Sequence, residues 1–156
     1  MTKRYFEKIS FNQFKKDVSD DIDLYNSYLL PKRETKSSAG YDFYALNDFI
    51  IKPNEIKKIP TGIKAKYPND EFLMLVVRSS MGFKFNVRMC NQAGIIDADY
   101  YNNKDNEGHM WIALQNHGDK DYVVKKGDGI CQGIFMKYYI INNEITFNIL
   151  KSTKLL

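Results

Sequence analysis

The sequence contains little cysteine: its 156 residues include only Cys90 and Cys131. Two cysteines are too few for a disulfide scaffold, and neither has the CxxC or Cys/His spacing of a zinc site. We therefore expect two semi-buried thiols in a cytoplasmic (intracellular) protein. No stretch approaches the roughly 18 apolar residues needed to span a bilayer, and the N-terminal segment lacks the continuous apolar core of a secretory signal. The sequence thus predicts no membrane association.

The remaining composition is that of one ordinary globular domain. Hydrophobic residues make up 44% and charged residues 27% of the chain, which provides enough apolar material for a core and argues against disorder. The 23 basic and 19 acidic residues leave a formal charge of +4, which suits a small anionic ligand as well as a nucleic acid. Because no aromatic motif of the RNA-binding kind is present, we expect no nucleic-acid partner.

Residues 1–36 differ from the rest and are expected to form an N-terminal arm with a short helix. Ser10 precedes Phe11, Phe14 and Val18, which is the pattern of a capped helix with one apolar face. From residue 37 to residue 147, short apolar runs alternate with clusters of Pro, Gly, Asn and Asp. This spacing predicts an all-β domain, a sandwich or jelly roll, with at most a turn after Ser79.

A first polar cluster, RSSMG at residues 78–82, follows an apolar strand. A strand that runs into a turn of small residues exposes backbone N–H groups, and Arg78, Ser79 and Ser80 add donors that could hold a phosphate. An ordinary turn with a surface arginine explains the same residues and is favoured when this cluster is taken alone.

A second cluster, NQAGIIDADY at residues 91–100, contains two acidic residues. On an extended chain, Asp97 and Asp99 would point to one face and Tyr100 to the other, and Asp97 could serve as a general base. Gly94 indicates a close approach of the backbone to a ligand or to another strand. The alternative is a pair of Asx turns after a strand, which is a common arrangement.

A third cluster, GDGICQ at residues 127–132, is a turn leading into a strand, and the Gln132 amide could donate to a phosphate. Taken alone, this cluster is a hairpin. His109 and His117 have no serine or cysteine nearby in the sequence and are expected to be structural or solvated. Trp111 is more typical of a core or subunit contact than of a base-stacking platform.

The order of these clusters resembles the motif order of the trimeric dUTPase family. AGYDFYA (39–45), RSSMG (78–82), GIIDADY (94–100) and GDGICQGI (127–134) match four of the family's five motifs and cover about residues 31–136. The resemblance implies an all-β jelly roll (a distorted β-barrel) and homotrimers with active sites at the subunit interfaces. It also implies Mg²⁺-dependent hydrolysis of dUTP to dUMP and pyrophosphate, which lowers dUTP and supplies dUMP for thymidylate synthesis.

The resemblance also implies roles for individual residues. Asp97 would be the general base that deprotonates water for attack on the α-phosphorus. Tyr100 would lie under the deoxyribose and exclude ribonucleotides, and Asp42 would lie near the water shell of a metal held mainly by the substrate phosphates. The other implied substrate-binding residues are Arg78, Ser79, Ser80 and Gln132 for the phosphates, Asn91 and the backbone of Gly94, Ile95 and Ile96 for uracil, and Trp111. A tight β-hairpin at the uracil site would leave no room for a thymine methyl group, and Arg78 and Gln132 are expected from a neighbouring subunit.

Three features depart from the family pattern. The segment YNNKDNEG at residues 101–108 is longer than the usual turn and predicts an enlarged polar loop beside the site. In the fourth motif, Gly129 replaces the usual arginine, which removes an expected contact between subunits. Residues 148–156 lack the Gly-rich fifth motif that closes over the nucleotide, and we expect its loss to weaken catalysis more than base binding.

Three alternative functions are considered. A dCTP deaminase would share the fold, but it uses a glutamate on the strand after the third motif, where this chain has Ala113. A catalytically weak dUTPase-like protein that binds nucleotide or regulates a partner is consistent with the tail and the arm. A jelly-roll trimer without a ligand is disfavoured, because packing alone does not require the polar set of the four motifs.

Overall fold

Residues 3–144, which the computed structural model describes, form a mainly β-strand protein with three short helices. The strands are β1 (Tyr5–Lys8), β2 (Tyr41–Tyr44), β3 (Phe49–Ile51), β4 (Ile56–Pro60), β5 (Ile63–Lys66), β6 (Glu71–Val76), β7 (Val87–Met89), β8 (Gly94–Asp97), β9 (Trp111–Asn116), β10 (Tyr122–Val124) and β11 (Gly129–Lys137). The helices are α1 (Phe11–Asp17), α2 (Ile22–Ser27) and α3 (Ser79–Phe85), with a 3₁₀ helix at Ala98–Tyr100. The expectations for residues 148–156 lie outside the described residues.

The strands pair in four antiparallel sheets, which confirms the predicted all-β fold. The largest sheet has the order β2-β11-β6-β8, a second has the order β4-β9-β7, and the pairs β1-β5 and β10-β3 complete the set. Among residues 3–144 these sheets are open and do not close into a barrel. No helix within that range is long and apolar enough to cross a membrane.

The core lies between the sheets and follows the two-residue period of the strands. In β6, Leu73 and Leu75 are fully buried, and in β9, Ile112 and Leu114 are buried while their neighbours are more exposed. Successive side chains of a strand point to opposite faces, so each of these strands contributes one apolar face. The resulting core holds the large sheet in place beneath the polar strand ends.

The N-terminal region packs against this same core. Strand β1 pairs with β5, and helix α1 begins after Ser10, whose side chain accepts a hydrogen bond from the Gln13 amide as a cap. Its apolar face buries Phe14, and α2 buries Leu24. The predicted helix start at Ser10 is confirmed, whereas strand β1 was not predicted.

Two local predictions about the chain were incomplete or wrong. The turn expected after Ser79 is the seven-residue helix α3. Asp97 and Asp99 do not share a face of one extended strand, because β8 ends at Asp97 and a 3₁₀ helix begins at Ala98. The change in backbone conformation therefore removes the two-residue period on which that prediction depended.

Candidate functional site

Five residues from the predicted phosphate and metal set surround one cleft. This cleft of about 320 Å³ is lined by Glu34, Ser38, Gly40, Asp42, Arg78, Ser79, Ser80 and Gln132. Pairing in the large sheet explains the convergence, since Gln132 on β11 lies opposite Asp42 on β2 and opposite Val76 at the end of β6. The lining residues Glu34 and Ser38 were not predicted, because they lie outside the motifs analysed in the sequence, and Gly40 lies in the first motif but was given no role.

Arg78 is held at the mouth of this cleft by Asp42. Its Nε lies 3.3 Å from Asp42 Oδ1, and its Nη2 lies 4.0 Å from Glu34 Oε2. A Cβ atom at Gly129 would lie 2.9 Å from Arg78 Cδ, closer than real Cβ contacts allow. The glycine that departs from the fourth motif therefore makes room for the Arg78 side chain.

Helix α3 adds backbone donors to the same cleft. It begins at Ser79 after Arg78, and no side chain caps it. The first N–H groups of a helix have no partner four residues back; here the Met81 amide donates to the Arg78 carbonyl at 3.0 Å, which leaves the amides of Ser79 and Ser80 available to an anion. Ser79 and Ser80 are both exposed at this helix start.

Gln132 has a fixed position in the cleft. Its Nε2 donates to the Val77 carbonyl at 3.3 Å, and a side chain at Gly40 would overlap the Gln132 amide. Beneath it, Cys131 is fully buried, and burial raises the pKa of its thiol. This cysteine is therefore protonated and inert, whereas Cys90 is exposed.

Asp97 lies in a different cleft at the end of β8. This second cleft, also of about 320 Å³, is lined by Asn69, Asp97, Ala98, Asp99 and Tyr138. Both acidic side chains are exposed. A carboxylate at such a position can contact water directly, as a general base must.

The segment before Asp97 joins two sheets. Strand β7 pairs with β9, while β8 pairs with β6, so the hairpin expected at the uracil site is wrong: its two strands are not partners. The chain turns at Gln92, which has φ of +63°, and Asn91 is exposed. Gly94 is buried with its α-carbon against β6, where a Cβ would lie 3.3 Å from Leu75 Cβ. The close approach predicted for Gly94 is thus to another strand.

Strand β8 is an edge strand among the described residues. It pairs with β6 alone in the sheet order, so part of its backbone N–H and C=O groups face away from the sheet. Ile95 is 57% exposed and Ile96 is half-buried, and the Ile96 carbonyl accepts a hydrogen bond from Tyr67 Oη at 2.6 Å. The free edge provides main-chain groups for a flat polar ligand.

The Tyr100 side chain is oriented by hydrogen bonds that were not predicted. Its hydroxyl donates to the His109 carbonyl oxygen at 3.1 Å and accepts from Asn106 Nδ2 at 2.7 Å. His109 is fully buried, as a structural histidine should be, and His117 is exposed. Trp111 is 40% exposed, with its ring centroid 5.3 Å from that of His109, and it lines neither cleft.

The two clefts lie at opposite ends of β6 within one chain. Asp97 pairs with Phe72 near the start of β6, whereas Arg78 follows the end of that strand. Six residues of extended chain correspond to about 20 Å. One subunit therefore does not bring Asp97 and the Arg78 cleft together.

Asp42, Asp97 and Asp99 do not form a metal cage. Within residues 3–144 there is no group of three or more His, Cys, Asp or Glu side chains that could hold a metal ion. Mg²⁺ is commonly bound through one or two carboxylates together with substrate phosphates and water. Asp42 lines the cleft of the phosphate donors and its carboxylate is already paired with Arg78, so it fits a site of that type only through water.

Comparison with known proteins identifies relatives of this chain. The sequence model of the dUTPase family matches residues 26–155. The deoxyuridine 5'-triphosphate nucleotidohydrolase of Lactococcus lactis is 44% identical over 115 residues, covering 74% of this chain and 77% of that protein. That of Rickettsia felis is 38% identical over 111 residues, covering 70% and 71%. The crystal structure of the dUTPase from Streptococcus mutans superimposes with a TM-score of 0.71 at 38% identity and covers 88% of this chain and 98% of that one. This similarity confirms the jelly-roll fold.

Proposed function

The chain belongs to the dUTPase family, and we propose from this premise that it hydrolyses dUTP to dUMP and pyrophosphate. The observation that carries the proposal is the cleft in which Asp42, Arg78, Ser79, Ser80 and Gln132 converge from three segments of the chain. A guanidinium group, two hydroxyls, a side-chain amide and the backbone N–H groups of Ser79 and Ser80 form a donor set suited to a polyphosphate.

The proposed chemistry is attack of water on the α-phosphorus. Asp97 accepts a proton from the water as its oxygen bonds to phosphorus, and the bond from phosphorus to the bridging oxygen breaks, releasing pyrophosphate. The exposed position of Asp97 at the end of β8 supports this role, since water reaches the carboxylate directly. The donors around Arg78 offset the negative charge of the phosphates.

Recognition of the nucleoside is assigned to the segment before Asp97. Asn91 and the backbone of Gly94, Ile95 and Ile96 would read the polar edge of uracil, with the Ile96 carbonyl already engaged by the Tyr67 hydroxyl. Exclusion of thymine cannot rest on a paired hairpin here, and we assign it to the tight turn at residues 91–93 where the chain crosses between sheets. The ring of Tyr100 would pack under the deoxyribose.

Trp111 is the remaining residue implied for substrate binding. One part of its ring packs against the buried His109. Any contact with substrate would therefore be made by the exposed part of the Trp111 ring.

The proposed Mg²⁺ would bind mainly to the substrate triphosphate. Asp42 would act through water, because its carboxylate is already engaged by Arg78. When bound, the metal would neutralise phosphate charge and favour in-line attack.

The proposed active unit is a homotrimer with shared sites. The separation of about 20 Å along β6 between Asp97 and the Arg78 cleft supports a site in which these groups come from different subunits. The two free cysteines are typical of a reducing compartment, so we propose that the enzyme acts in the cytoplasm.

The proposal is tested by Asp97→Asn, with Asp99→Asn as the matched control in the same cleft. Removing a general base lowers rates by about 100-fold or more, so Asp97→Asn should abolish turnover of dUTP while calorimetry still detects its binding. Asp99→Asn should retain turnover. If Asp97→Asn remained active, or lost dUTP binding together with folding, Asp97 would not be the base.

Shared sites are tested by mixing inactive subunits. Asp97→Asn and Arg78→Ala chains, refolded together in equal amounts, should place both intact residues in about one quarter of the sites and recover activity. No recovery in mixed trimers would contradict a site built from two subunits. Nucleotide binding by the wild-type protein without pyrophosphate release would favour the regulatory alternative, and strand β9, Trp111–Asn116, carries no acidic residue to support deamination.

A further inference from the structure

The loop at residues 101–108 is folded on itself by hydrogen bonds between its own groups. The Asn102 amide donates to the Glu107 carbonyl, and the Glu107 amide donates to the Asn103 carbonyl, both at 3.0 Å. Asn102, Glu107 and Gly108 have positive φ angles, a conformation that is uncommon for residues other than glycine and asparagine, such as Glu107. At Gly108 a Cβ would lie 2.8 Å from the Tyr100 carbonyl oxygen, so this position requires glycine. The loop is therefore an ordered element of the fold that contacts Tyr100.

Asn106 is the residue of this loop that reaches the Tyr100 hydroxyl. Its Nδ2 donates to Tyr100 Oη at 2.7 Å and to the His109 carbonyl oxygen at 3.2 Å. Its Oδ1 accepts from the Gly108 amide at 3.1 Å and from Asn103 Nδ2 at 2.9 Å. A carboxamide has two donor hydrogens and one acceptor oxygen with two lone pairs, so all of its capacity is used. These four bonds fix which end of the amide faces Tyr100.

The far side of the loop is anchored to strand β5 and to the arm. Lys64, only 8% exposed, donates to Asn102 Oδ1 at 2.7 Å and to Glu107 Oε1 at 2.9 Å. Glu107 also accepts from the Ser10 amide at 2.9 Å and from its hydroxyl at 2.7 Å, at the cap of α1. The loop is thus held on one side by Lys64 and Ser10, and on the other side it contacts Tyr100 through Asn106. We therefore treat it as a rigid support for Tyr100.

We propose that Asn106 is a positioning residue, which holds the Tyr100 ring in the orientation that discriminates deoxyribose from ribose. The inference rests on the proposed function, in which Tyr100 packs under the sugar. Tyr100 is half-buried, and its hydroxyl has two partners: Asn106 and the His109 carbonyl. A ring that excludes one extra hydroxyl group must be placed within a fraction of an ångström, and the hydrogen bond from Asn106 provides that restraint.

The experiment compares the ratio of kcat/KM for dUTP to kcat/KM for UTP in the full-length protein. Asn106→Asp retains an acceptor for Gly108 and Asn103 but removes the donor to Tyr100. The new carboxylate can only accept from the Tyr100 hydroxyl, which would then give up its bond to the His109 carbonyl, so one hydrogen bond of Tyr100 is lost while the loop keeps its own contacts. Loss of one hydrogen bond corresponds to about a three- to tenfold decrease in this ratio. Lys104→Ala is the matched control, because within residues 3–144 the Lys104 side chain is exposed and has no hydrogen bond, and its ratio should equal that of the wild type.

A double-mutant cycle tests whether Asn106 changes the ratio through its hydrogen bond to the Tyr100 hydroxyl. Tyr100→Phe retains the ring but removes the hydroxyl, so Asn106→Ala should change the ratio in the wild-type background and have little further effect in the Tyr100→Phe background. An unchanged ratio in both Asn106→Asp and Asn106→Ala, or additive effects with Tyr100→Phe, would overturn this inference and leave the proposed function intact. A wild-type protein that does not hydrolyse dUTP would overturn the proposed function and this inference with it.

Discussion

The buried histidine predicts a specific loss of stability in mild acid. His109 Nε2 accepts a hydrogen bond from the Gly62 amide at 2.9 Å, so the ring proton lies on Nδ1, which donates to Asp17 Oδ2 at 2.6 Å. Burial lowers the pKa of His109 and outweighs the opposing effect of the neighbouring Asp17. Protonation would also put a second N–H group against the Gly62 amide. The folded protein therefore binds this proton only at a pH below the ordinary histidine value of about 6.5.

The sign and the limit of the effect follow from proton linkage. Below about pH 6.5 the unfolded chain holds a proton on His109 that the folded chain does not. The stability contribution is thus fully present above that pH. It decreases as the pH falls below about 6.5, and it is lost once the pH has passed through the lowered pKa of the folded state. One proton contributes at most about 1.4 kcal/mol per pH unit, or roughly 3–5 °C in Tm for a protein of this size.

A second acid-sensitive group acts in a separate pH range. Burial alone would raise the pKa of Asp17, but hydrogen bonds from Gln13 and His109 outweigh it and lower that pKa. The stability it contributes is present above its ordinary value of about 3.9 and is lost at more acidic pH. Measurements between pH 5 and pH 7 therefore report mainly on the histidine.

The assay is urea unfolding at fixed protein concentration across that pH range. His109→Gln removes the titrating group and should flatten the dependence, whereas His117→Gln, at the exposed histidine, should leave the wild-type slope unchanged. A wild-type protein that became more stable on acidification, or lost its slope in His117→Gln, would refute the reasoning.

Two further predictions concern the candidate site. Gly129→Ala places a Cβ 2.9 Å from Arg78 Cδ; because the arginine can move, we expect a higher KM for dUTP with less than about 1 kcal/mol of lost stability. Gly82→Ala, where a Cβ meets nothing within 4 Å, is its control in a kinetic and urea-unfolding comparison, and an equal KM in both variants would contradict the effect. Tyr100→Ala should allow turnover of UTP in a pyrophosphate assay; continued exclusion of UTP would show that Tyr100 does not guard the sugar.

Much of the fold could be predicted because it depends on local patterns. The alternation of apolar residues in β6 and the cap at Ser10 each depend on residues that are close together in the sequence. Strand β1 was missed because its pairing with β5 joins residues about 60 positions apart. The register of Asp97 and Asp99 was wrong because the chain leaves the strand between them.

The candidate site was predictable in its residue types but not in its connections. Arg78, Ser79 and Gln132 have donors suited to phosphate, and their order along the chain identified them. The fit of Arg78 over Gly129 and the contact of Asn106 with Tyr100 depend on how distant segments approach. Neither contact leaves a signal in residue spacing.

The most direct test of the central claim is pyrophosphate release from dUTP, measured beside dCTP, dTTP and UTP, with and without Mg²⁺. The account predicts release that is selective for dUTP and dependent on the metal. Equal release from all four nucleotides, or tight binding of dUTP without release, would contradict it.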